Sequence, residues 1–324
     1  MNLYCNVTRG ENVESVHEVY ATVINEDEEI IFKTGKEDLL TCVRSSLKPF
    51  QASATILEGA VESAGFSEPE IALMCASHNG ELIHVETAKS MMKKIGLEED
   101  CYECGHHPPY DLEAREISRR TGFTPFHNNC SGKHAGMLAL SKHLKSNIKN
   151  YIKYNHPVQI KIFDQIKRLT KKNVLPYGID GCSAPTPFLS IKEIALLFNV
   201  FGANKYPELE IAYNAMVKNP YLTAGKQRFD TDFNNIMKGR ALTKVGGEAI
   251  RGMVIKTSKY GILGIAQKVL DGNQRANESA IMYILNHLGV LSENESKKLK
   301  NYEVTKLFNH QKKHIGDIRA ILLS

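Results

Sequence analysis

The chain has 324 residues, 42% hydrophobic and 24% charged, with a formal net charge of +5. That is enough for a large core in one big domain or two lobes, and the modest charge, with no interleaved aromatics, points to solvated helix faces rather than nucleic-acid binding. No apolar run approaches the ~20 residues of a membrane helix, and Met1-Asn2-Leu3-Tyr4-Cys5-Asn6 lacks a basic segment followed by an apolar one, so a cytoplasmic protein is expected.

Val16 to Ile24 alternates and is followed by the polar run Asn25-Glu26-Asp27-Glu28 and by Ile30-Ile31-Phe32, which predicts a β-hairpin. Gly35 to Asp38 reads as a loop. Pro49 to Ala64 has helical spacing, with Ala52, Ile56, Leu57, Ala60, Val61 and Ala64 apolar and Gly65 as the stop. Ser67-x-x-Glu70 reads as a capping box opening a short helix. The apolar run Ile71 to Ala76 then ends at Ser77-His78-Asn79-Gly80-Glu81, a polar cluster of the kind that carries sites. Helices are predicted over His84 to Ile95, Leu112 to Thr121, Ala135 to Leu144, Pro157 to near Lys171, Ser190 to near Phe201, and Pro207 to Lys218. Cys101 to Pro109 and Gly178 to Pro187 are irregular.

After Gly239, Ala249 to Lys256, Gly261 to Ile265 and Gln267 to Val269 read as strands and Gln274 to Leu288 as a helix; the last ~30 residues read as helical and basic. There is no long linker, repeat or low-complexity tract. Strands at both ends with a helical body between predict an α+β fold. The expected layout is one enzyme unit of two lobes: a sheet lobe of residues 1–40 and 240–324, and a helical lobe of 41–239, with the site in the cleft between them.

In Arg44-Ser45-Ser46-Leu47-Lys48-Pro49 a serine and a lysine stand three apart at the start of a predicted helix, on one face of it. A lysine amine there can take the serine's proton, and a helix N-terminus favours developing negative charge. The pattern alone is common. Ser77-His78-Asn79 supplies a later Ser-x-Asn, and Lys244-Val245-Gly246 a Lys-x-Gly where a strand should begin. This order is that of the penicillin-recognising serine enzymes. A second serine near a second lysine can carry a proton to a leaving amine, and the glycine lets a substrate approach strand N–H groups that stabilise an oxyanion. Ser46 is the rival nucleophile; otherwise one serine of the pair caps the helix.

The cysteines are Cys5, Cys42, Cys75, Cys101, Cys104, Cys130 and Cys182, and in a cytosolic chain they argue against a disulfide framework. Cys130 and Cys182 lie in polar, glycine-containing turns. They are either ordinary thiols or a shared metal site to which Lys133 or His134 contributes. Cys101-x-x-Cys104 with His106 and His107 has metal-ligand residue types, but without a second ligand pair at finger spacing a solvated loop is the plainer reading. Asp180 is a turn residue or a catalytic carboxylate, and Asp230 and Asp232 offer two more carboxylates two apart, with a helix N-cap as their plainer reading.

Six segments carry a resemblance. They are Arg44-Ser45-Ser46-Leu47-Lys48-Pro49-Phe50-Gln51, Ala76-Ser77-His78-Asn79-Gly80-Glu81, His127-Asn128-Asn129-Cys130-Ser131-Gly132-Lys133-His134, Gly178 to Pro187, Arg228-Phe229-Asp230-Thr231, and Asp271-Gly272-Asn273-Gln274-Arg275-Ala276. Together they resemble the rhizobial-type, thermolabile L-asparaginase family, asparaginase II. The resemblance implies a serine β-lactamase/glutaminase-like fold and hydrolysis of L-asparagine to L-aspartate and ammonia. It implies two Ser–Lys pairs, Ser45 with Lys48 and Ser77 with a later lysine, assigned as Lys244 with Lys268 as its rival. It implies zinc held by Cys130, Lys133 and Cys182 with Asp180 alongside, and a homodimer. Arg44, His78, Asn79 and Asp180 are the candidate substrate-binding residues. The chain departs from the family pattern at Leu82-Ile83 and over Cys101 to His107. Two other classes share these features: a β-lactamase-like hydrolase of D-amino peptides or lactams, or a glutaminase, with the same serine machinery; and a non-catalytic zinc-binding or regulatory protein using Cys130 and Cys182.

Overall fold

A computed structural model describes residues 1–323. The chain divides into two compact units, one of Met1–Thr41, Leu189–Gly202 and Ile236 onward, the other of Cys42–Phe188 and Ala203–Asn235.

The first unit is built on an antiparallel sheet. Its strand order is Val304–Phe308, His314–Leu323, Asn2–Arg9, Asn12–Ile24, Gly261–Val269, Ile250–Thr257 and Ala241–Val245, with Ile30–Thr34 also paired to Asn12–Ile24. The expected hairpin is present, but its first strand starts earlier, at Asn12, and a further strand, Asn2–Arg9, precedes it. That strand alternates, with Leu3, Cys5 and Val7 buried. Each such fully buried aliphatic side chain contributes about 1.5–3 kcal/mol.

The chain end corrects the sequence reading. Only Glu293–Glu303 is helical, and Val304–Phe308 and His314–Leu323 are strands. The last strand pairs with the first, Cys5 opposite Ala320, so burial against a partner some 300 residues away overrides local propensity. Between Val304–Phe308 and His314–Leu323, Asn309 turns the chain, its side chain accepting from the Lys313 N–H at 2.9 Å. Helix Ile191–Gly202, within the stretch read as the helical lobe, belongs to the sheet unit. It packs so closely that a Cβ on Gly252 would stand 1.8 Å from the Phe198 ring.

The second unit is helical. Helices Lys48–Leu57 and Ser131–His143 are buried along nearly their whole length and form its centre. The single helix expected from Pro49 to Ala64 is two, Lys48–Leu57 and Ala60–Ser63, because the chain turns left-handed at Gly59, φ 78°. The Ser67/Glu70 capping box forms as read and opens helix Glu68–Met74. Ser131–His143 lies against Glu68–Met74 through its glycines. A Cβ on Gly132 would stand 2.3 Å from the Leu73 carbonyl oxygen. That close approach brings the start of one helix beside Ala76 and Ser77, which follow the end of the other. Among the described residues no helix is long and apolar enough to cross a membrane.

Candidate active site

Lys48 opens helix Lys48–Leu57 behind a single tight turn, Arg44–Leu47. Neither Ser45 nor Ser46 caps the helix, since Leu47 occupies the cap position, which corrects that reading of the serine pair. Ser46 is fully buried, whereas Ser45 is partly exposed. Arg44 is held at φ 52°, a left-handed conformation unusual for a side chain with a Cβ. Its Nε donates to Asp180 Oδ1 at 2.8 Å, and the same oxygen accepts from the Gly181 N–H at 2.7 Å. An ion pair therefore ties the serine turn to the Cys182 loop.

The Lys48 amine is 1% exposed and surrounded by acceptors. It donates to the Ala76 carbonyl at 2.5 Å, the Asn129 carbonyl at 3.0 Å and Ser77 Oγ at 3.1 Å. The hydrogen-bonded partner of Lys48 is thus Ser77, not the serine three residues before it. Burying this polar nitrogen is offset by these three bonds.

The Ser77 segment is itself fixed. Ser77 N–H donates to the Thr223 carbonyl and Asn79 N–H to that of Ala224. His78 is fully buried; burial, first, and the neighbouring His84 hold its pKa well below the ordinary value, so the ring is neutral. Gly80 N–H donates to Nδ1 at 3.1 Å, which leaves the hydrogen on Nε2 to be donated to Ser131 Oγ at 2.9 Å. Both ring nitrogens are thus occupied, Nδ1 within the segment itself and Nε2 in joining it to helix Ser131–His143. Asn79 is likewise engaged: Arg228 donates to its Oδ1 at 2.9 Å, and its Nδ2 reaches the Lys226 carbonyl at 2.9 Å.

Cys130, Lys133 and Cys182 come together, each 5% exposed or less. Lys133 Nζ donates to Cys182 Sγ at 2.9 Å. The neighbouring Cys130 side chain first, and then the Lys133 charge, hold the Cys182 thiol well below its ordinary pKa against the opposing effect of burial. Cys130, whose thiol donates to Asn129 Oδ1 at 2.9 Å, is raised well above it by the adjoining Cys182 and by burial. Burial alone would lower Lys133, but the Cys182 charge beside it raises the amine overall. Lys133 and Cys182 thus stand as a buried, hydrogen-bonded pair. His134 Nδ1 bonds Tyr151 Oη at 2.8 Å, and its Nε2 is buried without a partner. Among the described residues no group of three or more His, Cys, Asp or Glu side chains is placed to hold a metal. The two sulfurs of Cys130 and Cys182 with the Lys133 nitrogen, once deprotonated, are of the donor types that suit a soft divalent ion.

The Cys101–His107 residues do not converge as ligands. Cys104 is buried, which pushes its thiol up to about 12, while Cys101 is partly exposed and hydrogen-bonds Asp100. Nor is the loop merely solvated. Asn128 Nδ2 donates to the Cys104 and Gly105 carbonyls, and Asn129 N–H to His107 Nε2 at 3.0 Å.

In the sheet unit, Lys244 lies on strand Ala241–Val245 opposite Gly252, is 1% exposed, and donates to the Val245 carbonyl at 2.9 Å. Lys268 lies on Gly261–Val269 and donates to the Val269 carbonyl at 2.7 Å. Asp230 and Asp232 sit in the first turn of helix Phe229–Met237. Sequence reasoning missed Asn129 and the Ala76 carbonyl, because a backbone acceptor leaves no mark on residue type. The one available signal for Asn129 is its place directly before Cys130.

Among solved structures, the chain is similar to a β-lactamase from Sphaerobacter thermophilus DSM 20745, at 14% identity and TM-score 0.43, over 85% of this chain and 93% of that one. It is also similar to a Bacillus glutaminase, at 11% identity and TM-score 0.39, over 84% and 91% respectively. No curated protein is a significant match. The L-asparaginase II family model matches residues 5–320, nearly the whole chain, and the chain accordingly belongs to the L-asparaginase II family of amide hydrolases.

Proposed function

We propose that the chain hydrolyses L-asparagine to L-aspartate and ammonia through a serine acyl-enzyme. The observation that carries this reading is the buried Lys48 amine, hydrogen-bonded to Ser77 Oγ at 3.1 Å and three residues after the partly exposed Ser45. Ser45 attacks the side-chain amide carbon, and its proton passes through Ser77 to Lys48. The C–N bond breaks and the nitrogen leaves as ammonia with a proton returned through Ser77, for which Lys244 is the second lysine. Water then attacks the acyl carbon, Ser45 regains its proton, and aspartate departs.

Arg44 and Asp180 hold the Ser45 turn and, with Asn79, face the substrate's polar end in this reading; His78 secures the Ser77 segment. Zinc is proposed at Cys130, Lys133 and Cys182. When bound it supplies a positive charge that orients the α-carboxylate or α-amino end of the substrate. The family resemblance also supports a homodimer, to be checked by light scattering against the 36.3 kDa chain mass.

A second reading makes Ser77 the nucleophile, and the Lys48–Ser77 hydrogen bond specifically favours it. One experiment separates the two. Ammonia release from L-Asn, L-Gln and D-Asn is measured for wild type, Ser45→Ala and Ser77→Ala, and the acylated peptide is mapped by mass spectrometry. An acyl group on Ser45, with kcat abolished in Ser45→Ala, is expected. An adduct on Ser77 selects the second reading, and near-normal kcat in both variants ends the serine mechanism. For the metal, about one zinc per chain is expected in the wild type by elemental analysis. Undiminished zinc in both Cys130→Ala and Cys182→Ala would remove the site.

A further inference from the structure

A neutral lysine amine has two N–H groups and one lone pair, so closeness to a serine is not enough: the lone pair must face the hydroxyl. Three acceptors surround Lys48 Nζ, the carbonyls of Ala76 and Asn129 and the Ser77 hydroxyl. The carbonyls can only accept. When they take both N–H groups, the lone pair is left facing Ser77. The direction of proton transfer is therefore set by two carbonyl oxygens.

The Ala76 carbonyl follows the end of helix Glu68–Met74, and the Ala76 N–H is bonded back to the Leu73 carbonyl. Asn129 has no such support, since it lies in the turn between Pro125–His127 and helix Ser131–His143. Every other polar group of that residue is tied down instead. Its N–H donates to His107 Nε2 at 3.0 Å, its Nδ2 to Tyr110 Oη at 3.0 Å, and its Oδ1 accepts from Cys130 Sγ at 2.9 Å. His107 is fixed in turn, Nδ1 donating to the Pro108 carbonyl at 2.8 Å, and its ring lies 4.9 Å from that of Tyr110.

We propose that His107 and Tyr110 are positioning residues which, by holding Asn129, aim the Lys48 lone pair at Ser77. This rests on Lys48 being the base of the proposed reaction. Both lie in or beside the segment where the chain departs from the family pattern.

The test uses Tyr110→Phe, which keeps the ring and removes only the acceptor, with Asn129→Ala, the double variant, and Lys48→Met as reference. Expected are a kcat about 5–10-fold lower in Tyr110→Phe and about 10–100-fold lower in Asn129→Ala, each with KM within about twofold of wild type. The double variant should be no slower than Asn129→Ala alone, because Tyr110 acts through Asn129. Thermal midpoints within a few degrees of wild type would separate positioning from unfolding. Wild-type kcat in Tyr110→Phe and Asn129→Ala, with Lys48→Met inactive, overturns the proposal and leaves the base assignment standing. So does full additivity in the double variant. Substantial kcat in Lys48→Met overturns the base assignment and the proposal with it.

Discussion

Arg44 shows how a single residue stores and spends conformational energy at this site. A left-handed non-glycine backbone costs of order 1–3 kcal/mol and persists only where neighbours over-determine it. Here the neighbour is Asp180, whose Oδ1 holds both Arg44 Nε and the Gly181 N–H. Asp180→Ala removes both bonds and should relax the turn that presents Ser45. We expect kcat to fall at least about tenfold, with a smaller loss of thermal stability because Arg44 is partly exposed. Steady-state kinetics and a melting curve on the same sample check both. The adjacent serines should separate as sharply. Ser46 is fully buried, so Ser46→Ala should cost about 1 kcal/mol in urea unfolding while ammonia release survives, whereas Ser45→Ala should keep its stability and lose turnover.

At the scale of elements, two features of helix Glu68–Met74 decide where Ser77 falls. The first is the helix's start. Glu70 is 3% exposed, accepts from the Ser67 N–H and Ser90 Oγ, and pairs with Lys94. Burial raises its pKa, but Lys94, Ser67 and Ser90 outweigh burial and lower it overall. A depressed folded value means the stabilisation is complete above the ordinary carboxylate value and is lost as pH falls through the folded one. Glu70→Gln should therefore be about 1–2 kcal/mol less stable than wild type at neutral pH, the gap closing on acidification below the ordinary glutamate range. Paired urea titrations across that range would show it, and a gap that persists in acid would contradict the charge argument. The second feature is the contact with helix Ser131–His143. A Cβ at Gly132 meets rigid backbone, the Leu73 carbonyl at 2.3 Å, whereas one at Gly136 meets the flexible tip of Met74 at 2.6 Å. Gly132→Ala should cost about 1–3 kcal/mol and disturb Lys133, despite alanine's better helix propensity. Gly136→Ala should be nearly neutral in the same denaturation assay.

At the scale of the whole molecule, the sheet joins the two ends of the chain, with Asn2 opposite Leu323 and Cys5 opposite Ala320. Such pairing carries the largest loop-closure cost the chain can present, so it is expected to form late in folding. Removing residues 304–324 would strip the strand Asn2–Arg9 of its outer neighbour and expose its edge. The truncated chain should lose cooperative unfolding and aggregate, as size-exclusion chromatography and a melting curve would reveal; a soluble monomer melting like wild type would contradict this.

Much of this protein is written locally. Capping boxes, glycine stops and the 3.6-residue spacing marked most helices, and Ser45, Lys48, Ser77, Cys130 and Cys182 stood in motifs legible from residue type and order. These signals survive in one dimension because caps and periodicity act over a few residues. The end strands did not: Val304–Phe308 and His314–Leu323 read as helix, since it is pairing of the last strand with Asn2–Arg9, and of Val304–Phe308 with that last strand, that makes them strands. Nor did the partnership of Lys48. Helical spacing offered Ser45, and tertiary packing paired the amine with Ser77 and two carbonyls from other segments. Sequence supplied the reactive groups; where each lone pair and proton points was decided by backbone oxygens, which every residue carries and no residue type reveals.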